Sequence, residues 1–241
     1  MTGATVAADA SSGRTGSLAR ARVLARLHAP LLVVLALGLT LRIYLLVIYQ
    51  PLAGGFYDSI QYLQSSSSMI FGDPFRMAGY PLFLKITRGI YGELTFLIAI
   101  QHLLGLLTAV ALYVTIARVT GRRWLAAIPA VVVATSLDQI LLEHSVLTET
   151  LFTFLLVTGL CGTVLSLSAR RPLLWLAGSG VLLGIASTVR TVAIPLWILG
   201  AIRLGQHLNQ VNVVVLVVIL VTAIPVLWSQ KLIGDAGRLH K

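Results

Sequence analysis

Charge is scarce in this chain. Only 11% of its 241 residues are charged, where a water-soluble domain carries about 25%. Apolar residues make up 57%, and the mean hydropathy is +0.92. So apolar a chain cannot hide its side chains in one water-soluble core, so lipid must solvate much of its surface. Acids are scarcest: 8 Asp and Glu against 18 Lys and Arg, a net charge of +10. In a soluble protein that excess would suggest nucleic acid. Here the basic residues fall in short clusters between apolar runs, and no basic stripe is interleaved with aromatics, so no nucleic-acid partner is expected. The single cysteine, Cys161, excludes an internal disulfide and reads as a small core residue within an apolar run. Paired Cys or His ligand spacings, a Walker-type glycine loop and a G-x-S-x-G elbow are all missing, which removes three motif-borne chemistries. There is no internal repeat, which argues against a transporter built from paired halves.

What is present is a series of long apolar runs. Residues 30–49 are long enough to cross a bilayer and follow a basic, Ala/Ser/Gly-rich tail over 1–29 that lacks the apolar content to pack. The run exceeds a signal-peptide core, so it reads as an uncleaved anchor. Further runs lie at about 95–117, 124–137, 146–168, 173–189, 191–204 and 211–228, giving about seven transmembrane helices. The expected fold is an all-α, polytopic membrane protein: a cytoplasmic tail over 1–29, a membrane module over 30–230 and an outer tail over 231–241. Basic residues orient it. Arg118, Arg122 and Arg123 in one short loop, and Arg170 and Arg171 in another, fall on the same side as Arg14, Arg20, Arg22 and Arg26. That bias predicts a cytoplasmic N-terminus.

The first outer loop, about 50–94, is too long for a simple turn. Its pattern predicts two helices, at 58–70 and 81–91. The first opens on Asp58 and stops at Gly72-Asp73-Pro74; the second begins with Pro81 in its first turn. In the second, Leu82, Ile86 and Ile90 share one face while Lys85 and Arg88 lie off it, the pattern of a helix resting in the membrane interface.

Six of the eight acids lie between positions 58 and 149: Asp58, Asp73, Glu93, Asp138, Glu143 and Glu149. On this topology all six face outward or stand at an outer helix end. Asp73 and Glu93 read as ordinary loop polarity. Asp58 and the group Asp138, Glu143 and Glu149 point to a shared outer cavity. An acid entering a spanning helix, as Glu149 does, needs a polar cavity or a partner, although a helix N-terminus alone also favours it. Arg190, between two apolar runs, reads either as a snorkelling arginine or as an anion clamp whose planar fork suits phosphate. Arg42, a few residues inside the end of the first span, reads either as a second snorkelling arginine or as one that a partner acid would relieve. Glu143-His144 is a ligand-type pair, but adjacent residues on a helix point apart. A metal there needs a second ligand from elsewhere. No metal site is assigned, and a divalent metal stays open as a cofactor.

The ordered set of short motifs resembles a known family. It runs from Leu41-Arg42-Ile43-Tyr44 through Asp58 with Tyr62 to Gly79-Tyr80-Pro81-Leu82-Phe83-Leu84 and a span opening near Gln101. Leu137-Asp138, Glu143-His144-Ser145, Leu147-Thr148-Glu149-Thr150-Leu151-Phe152 and Leu183-Gly184-Ile185-Ala186-Ser187-Thr188-Val189-Arg190 complete it. This is similar to the lipid-carrier-dependent glycosyltransferases of the GT-C fold, of the family 39 type that includes protein mannosyltransferases and aminoarabinose transferases. The resemblance covers roughly residues 35–230. It implies a cell-envelope enzyme that moves a mannose-like sugar from a polyprenyl-phosphate carrier to an acceptor on the outer face; the Ala/Val/Leu/Arg-rich usage separately points to a bacterium. It implies Asp58 as catalytic base and Arg190 and Arg76 as the residues meeting the donor phosphate, with Tyr62, Asp138, Glu143, His144 and Glu149 supporting an outer cavity.

Two departures stand out. Many members carry a second acid directly after the first, where this chain has Ser59. Similar enzymes also continue beyond the seventh span, so the chain reads as the N-terminal module alone, a truncated product or one half of a two-chain enzyme. The competing expectation is a non-catalytic relative that binds the lipid carrier or serves as a partner subunit.

Overall fold

The computed structural model describes residues 27–49, 57–67, 70 and 77–191. The described residues form eight helices and no strand: α1 (Ala29–Ile48), α2 (Tyr57–Ser67), α3 (Gly79–Ile90), α4 (Leu94–Thr120), α5 (Arg123–Thr135), α6 (Leu137–Glu143), α7 (Glu149–Ser166) and α8 (Pro172–Val189). α1, α4, α7 and α8 are long and apolar enough to cross a membrane; α5 and α6 together would make a fifth span, bent by 54°. The chain is thus an all-helical membrane protein with four or five candidate spans among the described residues. The last two expected spans, 191–204 and 211–228, lie outside them apart from Thr191.

Local chemistry sets the helix limits. Pro30 and Pro172 stand in the first turns of α1 and α8, where a missing N–H costs nothing. α4 ends at Gly121, whose φ of 67° is open to glycine without strain and whose N–H bonds the Ala117 carbonyl. The run expected as one span over 124–137 divides instead. Ser136 is extended and its hydroxyl accepts the Gln139 N–H, so it ends α5 and caps α6. Residues 138–143, expected in an outer loop, are therefore helical.

Small residues hold the bundle together, as they must where lipid outside is as apolar as the side chains inside. Ala126, Ala130 and Ala134, one per turn of α5, pack on Val34 of α1 and on Ala109 and Tyr113 of α4. Gly159 and Gly162 let α7 lie against Leu183 and Ser179 of α8. A second cluster unites Tyr80 and Leu84 of α3, Leu97 of α4, Leu151 and Leu155 of α7, and Ala186 and Val189 of α8. The starts of α4 and α7 and the end of α8 therefore share one end of the bundle with α2 and α3. On α3 the buried residues are Tyr80, Pro81, Leu84 and Thr87, while Leu82, Ile86 and Ile90 are exposed. The apolar stripe seen in the sequence faces away from the protein.

Candidate functional site at one end of the bundle

Two arginine–carboxylate pairs mark this end, and they differ in kind. The first is buried. Arg42 of α1 donates from Nε to Glu143 Oε2 at 2.7 Å and from Nη2 to Oε1 at 2.8 Å, with Arg42 1% and Glu143 0% exposed. Its Nη1 donates to the carbonyls of Gly38 and Ala134 at 3.0 and 2.7 Å. Glu143 takes further contacts from His102 Nδ1 at 2.9 Å and from Gln139 Nε2 at 3.4 Å. His102 Nε2 stands 3.4 Å from His144 Nδ1. Gly105 makes room for the carboxylate, since a Cβ there would collide with it.

A neutral relay joins this core to α3. Gln101 donates to the Glu143 and Ser145 carbonyls at 2.8 and 2.7 Å, and its Oε1 accepts the Tyr80 hydroxyl at 2.8 Å. Burial pushes the Tyr80 hydroxyl well above its usual range, the nearby Glu149 charge adds to that, and Tyr62 contributes least. Tyr80 therefore stays protonated and donating. Tyr62 of α2 meets its ring edge-on at 5.1 Å.

The second pair is open. Arg190, just past α8, donates from Nη1 to Glu149 Oε1 at 2.8 Å, with side chains 43% and 33% exposed respectively. Its guanidinium carbon sits 5.8 Å over the Phe152 ring. Gly79 of α3 lies so close to Thr188 that a Cβ would come within 2.6 Å of its carbonyl oxygen, which seats the start of α3 beside Arg190.

No protein-family model, curated protein or solved structure matches the chain. The functional reading therefore stands on its own residues.

The structure brings some of the expected site residues together and separates others. Glu149, Arg190 and Tyr62 lie at the same end, around Tyr80. Asp58 stands exposed in the first turn of α2. Asp138 is exposed in the first turn of α6. Glu143 and His144, expected to support the outer cavity, are buried inside the bundle, Glu143 against Arg42 and His144 beside His102. Arg76 lies outside the described residues. Among the described residues, no group of three His, Cys, Asp or Glu is placed to hold a metal. Sequence reasoning passed over His102, whose signal was Gln101-His102 set in an otherwise apolar span, two polar side chains that lipid would not accept.

Proposed function

We propose that this chain is the membrane module of a glycosyltransferase that takes a sugar from a polyprenyl-phosphate carrier and passes it to an acceptor at the outer face of the membrane. The observation that carries the reading is the half-open Arg190. A cation with unspent donors, at the end of a membrane bundle and beside a helix whose apolar stripe faces outward, suits a phosphate whose lipid tail stays in the bilayer.

In this mechanism Asp58 takes the proton of the acceptor hydroxyl. The acceptor oxygen bonds to the anomeric carbon as the bond from that carbon to the phosphate oxygen breaks, and Arg190 stabilises the charge left on the phosphate. Asp58, exposed at the start of α2, is accessible to an acceptor arriving from water. Arg76 is a second cation for the phosphate on the family resemblance alone.

Native mass spectrometry of the detergent-purified chain tests the donor site. Polyprenyl phosphate retained by the wild type and lost from Arg190→Ala is the expected result; equal retention by both removes Arg190 from the site. In a membrane transfer assay Asp58→Asn should lose activity at least about 100-fold, the scale of a positioned general base. Full transfer by that variant would dismiss Asp58 as the base.

A further inference from the structure

The two arginine pairs are built for different ends. Arg42 spends Nε, Nη1 and Nη2 on Glu143, Gly38 and Ala134, inside the protein. Arg190 touches Glu149 through one nitrogen and one oxygen, and both side chains remain partly open to solvent. Neither charge depends on the other for a place in the fold. Glu149 stands in the first turn of α7, where the helix dipole favours an anion, and Arg190 just beyond the last turn of α8, where it favours a cation. The pair can therefore part at little cost.

The surroundings of Glu149 suit an anion. Thr148 supplies no side-chain cap to α7. Thr148 Oγ1 is 3.3 Å from Glu149 Oε2, a weak contact.

We infer that the Glu149 carboxylate is a built-in stand-in for the ligand's phosphate, holding Arg190 when the site is empty and giving way when phosphate arrives. The inference rests on the reading of Arg190 as the phosphate-binding residue. It makes Glu149 a competitor that sets the threshold for carrier binding. The opposite role, a positioning residue that aims Arg190 at the phosphate, predicts the opposite sign.

The test is a binding titration of a synthetic polyprenyl monophosphate into the full chain in detergent. The matching polyprenol, which lacks the phosphate, serves as control, and thermal midpoints check that each variant is folded. A half-exposed ion pair is worth at most about 1 kcal/mol, which is about fivefold in affinity. Glu149→Gln should bind the monophosphate about fivefold more tightly than the wild type, with polyprenol binding unchanged. Glu149→Asp, which keeps the charge, should show less than this gain. Arg190→Ala should lose the phosphate-dependent part. Unchanged or weaker binding by Glu149→Gln, or an equal gain in Glu149→Asp, overturns the stand-in, while loss in Arg190→Ala would still uphold Arg190 as the phosphate residue. Binding that ignores Arg190→Ala, or no monophosphate binding by the wild type, overturns both.

Discussion

At the scale of single residues, Arg42 and Glu143 are the sharpest case. Each would be costly alone in the interior, and each is held by the other and by neighbouring carbonyls and imidazole. Arg42→Met or Glu143→Leu alone should destabilise the protein by about 3–5 kcal/mol, since each leaves a buried charge without its partner. The double variant should recover most of that loss. Thermal unfolding in detergent measures all three, and single losses that simply add would show that the two do not act as a unit. Tyr80→Phe removes a neutral bond and leaves Gln101 Oε1 one donor short, a cost of about 1–2 kcal/mol. The sign of its pH dependence follows from the raised hydroxyl. Folded Tyr80 holds its proton where an unfolded tyrosine loses it, so its contribution is full below about pH 10 and declines as pH rises through the folded value. The gap in thermal midpoint between wild type and Tyr80→Phe should be constant from about pH 6 to 9 and narrow above about pH 10. A gap that widened with alkali would contradict the assignment.

At the scale of elements, α3 and the α5–α6 break matter most. α3 is tied to the bundle by Tyr80 and by the close approach of Gly79 to Thr188, while its Leu82–Ile86–Ile90 stripe is exposed. Gly79→Val should push α3 off the end of α8 at a cost of about 1–3 kcal/mol, the usual range for overpacking. Gly89→Ala on the same helix meets open space and should be neutral or slightly stabilising. Proteolysis of α3 in detergent would separate the two, and equal sensitivity would mean that the Gly79 contact does not hold the helix. The α5–α6 break was only half legible. Ser136 before Leu137-Asp138-Gln139 is a capping signal in the sequence, but hydropathy runs through it, and a window that reads apolar content cannot see a 54° bend.

For the whole molecule, the paired helix ends put Arg122, Arg123, Arg170 and Arg171 at the end opposite α2 and α3. The basic bias then predicts sidedness. With Cys161 replaced by Ala, Ser67→Cys should react with a membrane-impermeant maleimide on intact cells, and Arg122→Cys only after permeabilisation. The reverse pattern would invert the protein and move the candidate site to the cytoplasm.

The sequence by itself determined that the chain lives in a membrane, where most of its described spans run, and that α3 carries an apolar stripe. These follow from composition and from periods of a few residues, which are local quantities. It left Arg42 as either a snorkelling arginine or one that an acid would relieve. Only the tertiary structure decided which acid. Glu143 lies 101 positions away, and Asp138 and Glu149 near it were equally available by charge. The choice was made by the α5–α6 bend, which turns Glu143 inward, and by Gly105, which leaves room for its carboxylate. Glu149 was left at the rim with Arg190, because partner choice depends on distance in space, which no local pattern along the chain encodes.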